Sequence, residues 1–260
     1  MTSGEVYPNA PLAAVIVEIR HPIGPALSGA QLASMRPALA PIAPVQRIEQ
    51  IIELGPTGPI PTQLIRFISR DAHQSVSFRP NGIVVESTAY PGWNQFQEIV
   101  HLAITTRHEL APLDGLERVG LRYIDEIRPP QPDRVEWQDW IAEELLGPRH
   151  LSAALGQPIA ALQGVAQFGS LPGVAHTLRW GTGTGQAFVS TENLRRPAEP
   201  SGPFFLIDTD GGWLPPDGSI PELDPVAVMR ILDDLHGPIG TIFEATITNR
   251  LRDEVLRAQA

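Results

Sequence analysis

Leu12–Arg20 reads LAAVIVEIR and Glu117–Arg128 reads ERVGLRYIDEIR, and these two stretches decide the fold that the sequence predicts. Both are rich in β-branched residues, which favour strands, and the first is a candidate central strand. They also end alike, as EIRHP at 18–22 and EIRPP at 126–130. We therefore expect each stretch to open an equivalent half of the chain.

A regular series of elements follows the first strand. Ser28 can cap a helix that runs through Gln31, Met35 and Leu39. From Trp93 to Leu110, apolar residues recur every three or four positions, which predicts a helix with one buried face. Between the two helices lie four predicted strands at hairpin spacing, with an Asn-Gly turn before the last: Gln46–Leu54, Gln63–Arg70, Gln74–Arg79 and Gly82–Thr88.

The second half repeats this order. A helix is predicted at Trp137–Leu146, with a further short helical piece within Leu146–Gln157, and a last helix starts at Asp224-Pro225 and is interrupted by Gly237-Pro238. The predicted strands between them are Ile159–Phe168, His176–Trp180, Gln186–Thr191 and Phe204–Asp208. The closing helices of the two halves also carry similar segments, AITTR at 103–107 and TITNR at 246–250.

These similarities predict an α+β protein of two tandem β-α-β4-α repeats, residues 1–115 and 116–260, packed as one compact unit. The repeats would form a curved antiparallel sheet backed by long helices. The alternative is that short matches arise by chance in a sequence of biased composition.

The composition excludes several chemistries. The 260 residues include no Cys, which removes disulfides, Cys-based metal sites and thiol nucleophiles. All 19 basic residues are Arg, so Schiff-base chemistry and Walker A loops are impossible within this chain. The formal net charge of −10 disfavours a nucleic acid partner. We predict a cytoplasmic protein with no membrane partner, because no apolar stretch is long enough to span a bilayer and the N-terminus MTSGEVYPNAPL lacks leader features.

Three motifs resemble parts of functional sites, but their context favours structural interpretations. The run Phe204–Gly212 contains Asp-x-Asp-Gly, but too little chain follows for a phosphatase, so a turn at a strand end is predicted. Trp180–Gly185 lacks the helix that a dinucleotide loop needs, which favours a glycine-rich hairpin. Glu98 and His101 form one ExxH pattern where a di-iron site needs two. No metal, cofactor or catalytic residue is assigned.

Several charged residues lie on the strand predicted at Glu117–Arg128. Arg122 is expected to pair with a carboxylate, since a partly buried guanidinium needs one. We predict that Arg20, Arg122 and Arg128 form a charged cluster at equivalent strands and line a cleft between the halves. Tyr123 and Trp180 are candidate contact residues of the same cleft.

The chain also resembles a known family. The residues that carry the resemblance are Tyr7–Pro11, the Gly120–Ile124 segment GLRYI, the Leu206–Asp208 strand and the C-terminal Leu235…Thr248 segment. Together they resemble a sporadically distributed family of uncharacterised prokaryotic proteins of about this length, in which Asn is common at the position of Asp125. The resemblance supplies no catalytic residues. The predicted element order is also similar to the topology of the TATA-binding-protein fold, which implies a fold and not a function.

These observations predict a non-enzymatic binding protein that binds a basic protein or peptide. The sporadic distribution of the family implies an antitoxin, immunity or defence role. Two alternatives remain open: a small-molecule-binding protein or enzyme with a site between the repeats, and a nucleic-acid-binding regulator of TATA-binding-protein-like topology, whose arginines would gather on one face.

Overall fold

The computed structural model describes residues 7–258 except 25, 56, 57 and 132–134, together with all their side chains except those of 53–55 and 60. Its strands are β1 (Leu12–Arg20), β2 (Val45–Gly55), β3 (Gly58–Ile68), β4 (Gln74–Arg79), β5 (Gly82–Ser87), β6 (Arg118–Ile127), β7 (Gln163–Gly169), β8 (Gly173–Thr184) and β9 (Pro203–Leu214). They form one open nine-stranded antiparallel sheet in the order β2-β3-β4-β5-β1-β6-β9-β8-β7. The protein is therefore of the predicted α+β class.

The helices are α1 (Gly29–Leu39), α2 (Trp93–Leu110), α3 (Arg149–Leu155), α4 (Pro225–Thr246) and α5 (Asn249–Leu251). Helix α5 continues as a π-helix over Arg252–Leu256. Two 3-10 turns, Trp137–Asp139 and Glu143–Leu145, stand where one helix was predicted over Trp137–Leu146.

The main core lies between one face of the sheet and helices α1, α2 and α4. Alternate residues of the central strands, such as Val17 of β1 and Leu121 of β6, are fully buried there. These two residues pair directly in the antiparallel register between β1 and β6. The predicted central strand β1 and the strand that opens the second half, β6, are therefore neighbours at the middle of the sheet.

Two predicted helix starts are confirmed. The Ser28 hydroxyl oxygen accepts a hydrogen bond from the Gln31 amide, and the Ser28 amide donates to Gln31 Oε1, which is a capping box. The Asp224 carboxylate accepts from the Val226 amide at 2.9 Å, ahead of Pro225 at the first helical position.

Other predictions are wrong. Gln186–Thr191 is a loop, so three strands rather than four follow β6. The Asp-x-Asp-Gly run lies inside β9 and is not a turn, because β9 extends to Leu214 and pairs with β6 and β8 along its length. The glycines of Trp180–Gly185 likewise belong mostly to β8. Helix α4 continues through Gly237-Pro238, because Leu235 and Ile239 on either side remain buried in the core.

Among the described residues, none of the helices is both long enough and apolar enough to cross a bilayer. The N-terminal prediction rests partly on residues 1–6, which lie outside the described residues.

Candidate functional site

The face of the sheet turned away from the helices, which we call the open face, concentrates arginines. Alternation along the strands places them there, with Arg196 reaching this face from the β8–β9 loop. The arginines are Arg20, Arg47, Arg66, Arg79, Arg118, Arg122, Arg128, Arg179 and Arg196, and the carboxylates among them are Glu18, Glu49, Glu86, Glu126, Asp208 and Asp210. Among the described side chains of the strands and their ends, eight arginines thus lie with six carboxylates on this face, although the chain carries 29 acidic against 19 basic residues. The loop after β8 adds Arg196 together with Glu192, which lies 3.8 Å from Arg47.

A loop covers part of the open face. Residues 185–202, which connect β8 to β9 and which we call the strap, reach across to the first half of the sheet. Asn193, near the middle of the strap, contacts both Arg47 and Glu49 of β2. Phe188 packs over Ile124 of β6 and the neighbouring alanines of β1. The predicted strand at Gln186–Thr191 is thus the segment of the strap that lies over the sheet.

Glu126 of β6 holds the strap in place from below. Its side chain is almost fully buried, and its Oε1 accepts from the amides of Ala187 and Phe188 and from Arg196, at 2.8, 3.2 and 2.7 Å. Its Oε2 accepts from Arg128 at 2.5 Å. Burial opposes the charge of Glu126, but hydrogen bonds from Arg196 and Arg128 outweigh that effect, so its pKa lies below the usual range.

The rest of the open face, over β1, β6, β9 and β8, carries a charged cluster that reaches solvent. Asp208 of β9 is the centre of this cluster, with its side chain only 4% exposed. Arg122 donates through Nε and Nη2 to the two Asp208 oxygens at 2.7 Å each, which confirms the expected carboxylate partner. Arg179 of β8 lies 3.8 Å from the same carboxylate. Both guanidinium side chains are 43% exposed, so Asp208 orients them while they remain accessible.

A second set of charges lies beside the first on the same face. Arg118 pairs with Glu18 and lies 3.8 Å from Asp210. Its guanidinium lies over Gly120, where a Cβ would come within 2.8 Å of Arg118 Nη1. Burial raises the pKa of Asp210 despite the nearby Arg118 and Arg122. We call the residues of both sets the uncovered face: Glu18, Arg20, Arg118, Arg122, Arg179, Asp208 and Asp210.

The five residues predicted to line one cleft do not come together. Arg20 and Arg122 lie on the uncovered face, but Arg20 pairs in register with Arg118, ten residues from Arg128. At about 3.4 Å per residue, Arg20 and Arg128 are separated by roughly 34 Å along the central strands. Arg128 lies at the base of the strap, where it donates to the Gly185 and Ser201 carbonyls. The prediction of a shared cleft is therefore wrong: the three arginines lie in two separate regions of the open face.

Tyr123 and Trp180 lie on the opposite face, against the helices. The Tyr123 hydroxyl is 3.0 Å from that of Tyr90, and Trp180 donates to the Leu145 carbonyl at 3.1 Å. Strand alternation places Tyr123 opposite Arg122, because neighbouring residues point to different faces. The sequence prediction placed Tyr123 with Arg122 because they are neighbours in the chain. It did not take into account that side chains along a strand alternate between the two faces of the sheet.

Several groups with perturbed pKa values are buried on the helix side. Burial raises the pKa of Asp125 to about 8 and that of Tyr90 to about 12, and burial also raises the pKa of Tyr123 well above its usual range. Burial lowers the pKa of His236, which stacks on Trp93 at 4.1 Å. Perturbed groups can mark active sites. Here they pack between the sheet and helices and do not line the cavity described next.

A cavity of about 220 Å³ lies at the end of β6. It opens to solvent and is lined by the segment before β1, the strap and the C-terminal π-helix. Its walls include the charged side chains of Glu126, Arg128 and Arg196 and the apolar side chains of Leu251, Val255 and Leu256. Sequence reasoning assigned no function to this region.

No group of three or more His, Cys, Asp or Glu side chains within the described part of the chain is placed to hold a metal ion. The positions that sequence reasoning missed are Arg118, Glu126, Arg179, Asp208 and Asp210. The detectable signal was their alternation with apolar residues in strands β6, β8 and β9, which predicts one charged face.

A scan against protein-family models finds no match to this chain, and a search of curated proteins finds no similar sequence.

Proposed function

We propose that this chain is a non-enzymatic binding protein that docks an acidic segment of a protein partner on its uncovered face. The observation that carries the proposal is the pair Arg122 and Arg179, which share the buried Asp208 and expose their remaining donors to solvent. Arginine held in a fixed orientation is well suited to recognise carboxylates with two parallel hydrogen bonds.

The proposed negative charge of the partner segment rests on the guanidinium groups that the uncovered face exposes. Arg122 and Arg179 are far more exposed than the Asp208 carboxylate between them. The net charge of the chain predicted a basic partner, but the acidic excess lies outside the open face. An acidic segment is therefore the better electrostatic complement at this surface.

A protein partner is favoured over a small molecule or a nucleic acid. The uncovered face is a broad sheet surface, and the cavity at the end of β6 lies elsewhere. A long polyanion would extend beyond the arginines onto surfaces where acidic residues dominate, which costs affinity. An antitoxin, immunity or defence role stays within this proposal on the strength of the family resemblance.

We further propose the finer arrangement of two tandem repeats, residues 1–115 and 116–260, on a curved sheet. It is supported by the pairing of β1 with β6 at the centre and by the long helix that closes each half. The three strands that follow β6, against four after β1, are a departure from a strict β-α-β4-α repeat.

The test uses three fluorescent probes at low salt: a glutamate-rich peptide, an arginine-rich peptide and a short DNA duplex. We expect anisotropy titrations to show binding of the glutamate-rich peptide, with at least a tenfold loss for Arg179→Glu. Arg179 is the chosen site because Asp208 keeps its bidentate partner Arg122 in this variant.

The matched control is Arg230→Glu, a charge reversal at an exposed arginine of α4 on the helix side. It should leave binding of the glutamate-rich peptide unchanged. Preference for the arginine-rich peptide would restore the basic-partner hypothesis, and preference for the duplex would favour the nucleic acid alternative. Either result, or equal effects of the two variants, overturns the proposal.

A further inference from the structure

We propose that the cavity at the end of β6 is a binding site for a small monocarboxylate with a short apolar chain. This site is separate from the uncovered face, and the inference does not depend on the docking function. Three features of the cavity support it: arginine donors without an acceptor, an excess of one positive charge among the lining residues, and an apolar wall beside these charges.

The buried arginine is Arg196 of the strap, whose side chain is only 9% exposed. Its Nη1 donates to Glu126 at 2.7 Å and to the Phe188 carbonyl at 3.5 Å. Only Nη1 of Arg196 has an acceptor among the residues that the structure describes. Its Nε and Nη2 therefore remain available to an anion in the cavity, as charge-assisted donors.

The charges that line the cavity do not cancel. Arg128 and Arg196 share the single carboxylate of Glu126, whose lowered pKa keeps it ionised at neutral pH. The residues that line the cavity therefore carry one more positive than negative charge, and the exposed Glu199 outside the lining also interacts with Arg196. Arg128 Nε is buried without a partner among the described residues. A ligand with a single negative charge would balance the charges of the lining residues.

The apolar wall comes from the C-terminal end of the chain. Leu251, Val255 and Leu256 line the cavity, and the last two lie on the π-helix. Asn9 secures this helix by donating to the carbonyls of Val255 and Ala258, at 3.1 and 2.5 Å. Single π-helical turns are rare and occur frequently at functional sites. A ligand with an apolar chain would bury it against these side chains.

The size of the cavity limits the ligand. A volume of about 220 Å³ is smaller than the cavities that hold drug-sized molecules. It has room for roughly seven non-hydrogen atoms if each takes the ~30 Å³ of a water molecule in the liquid. This corresponds to a carboxylate with a chain of about four to six carbon atoms.

The test is calorimetric titration of the full chain with acetate, butyrate and the neutral analogue butyramide. We expect butyrate to bind, acetate to bind more weakly because it lacks the chain, and butyramide to bind at least tenfold more weakly than butyrate. Failure of butyrate to bind at about 10 mM, or equal affinity for butyrate and butyramide, overturns the inference.

Two variants locate the site. Arg196→Gln should weaken butyrate binding at least tenfold, but this change also removes a contact of the strap. Val255→Phe fills the cavity and leaves the arginines in place, so it should abolish butyrate binding while the circular dichroism spectrum stays unchanged. The control is Val226→Phe, at an exposed valine of α4 outside the cavity. If Val255→Phe and Val226→Phe bind butyrate alike, the ligand is not in this cavity.

Discussion

At the scale of single residues, glycines allow the close contacts that shape both faces of the sheet. Gly120 leaves the space that the Arg118 guanidinium occupies on the uncovered face. Gly211 lies against His176 and Ile239 on the helix side. Gly181 leaves no room toward the Leu162 carbonyl, because a Cβ there would lie 2.3 Å from that oxygen. These requirements are set by neighbours in space and cannot be read from the local sequence.

The contrast between Gly120 and Gly181 is a testable prediction. Gly181→Ala should lower the free energy of unfolding by about 2 kcal/mol, because a backbone carbonyl must move away from the new methyl group. Gly120→Ala should change it by less than about 1 kcal/mol, since only the flexible end of Arg118 must move and alanine suits a strand better than glycine. Urea unfolding of both variants measures the difference. Equal losses would contradict the packing described for the two sites.

A second prediction at the scale of residues concerns how Asp125 makes stability depend on pH. Burial raises its pKa to about 8, above the value of roughly 4 in an unfolded chain. The folded state therefore binds more protons between those two values, and the contribution of Asp125 to stability falls as the pH rises through this window. Asp125→Asn should be more stable than the parent chain at pH 8.5, with a smaller gain at pH 5. Thermal unfolding at both pH values checks this, and an equal gain at both would refute it.

At the scale of elements, sequence patterns predicted most strands and helix starts but not the strap. The Asn81-Gly82 turn, the Ser28 cap and the apolar stripe of α2 are local signals, and the structure contains all three. Gln186–Thr191 has the composition of a strand. The amides of Ala187 and Phe188 donate to the buried Glu126 carboxylate, 61 and 62 residues earlier in the chain, instead of to another strand. A tertiary contact of this kind overrides local propensity and leaves no signal in the local pattern.

The strap should loosen when Glu126 loses its charge. Glu126→Gln leaves Arg128 and Arg196 without their carboxylate, which should cost about 3 kcal/mol of stability. Hydrogen exchange at the Ala187 and Phe188 amides should become faster, while the amides of β1 and β6 stay protected. The matched control is Glu192→Gln, which changes a largely exposed carboxylate of the same strap. Similar exchange in the two variants would mean that Glu126 does not hold the strap.

At the scale of the whole molecule, one core joins the two halves of the chain. Residues of α4, such as Val228 and Leu232, belong to the same buried cluster as Val17 of β1 and Phe96 of α2. We expect a single cooperative unfolding transition, in which tryptophan fluorescence and circular dichroism change together. The tryptophans report on both halves, since Trp93 lies in the first and Trp213 in the second. Two separate transitions would show that residues 1–115 and 116–260 are independent units.

The distribution of charged residues over the whole molecule bears on the proposed docking of an acidic segment. An acidic chain places nine of its 19 arginines on one side of the sheet, where strands distant in sequence meet. Composition alone predicts a basic partner, because net charge does not record which face a residue occupies. The proposal of an acidic partner rests instead on strand register, which decides which residues share a face.

The most direct test of the docking surface is a map of backbone amide chemical shifts during titration with the glutamate-rich peptide. The account predicts that the largest changes fall on β6, β8 and β9 around Arg122, Arg179 and Asp210, and that they shrink as salt is added. Changes centred on α2 and α4, or no saturable change, would contradict it.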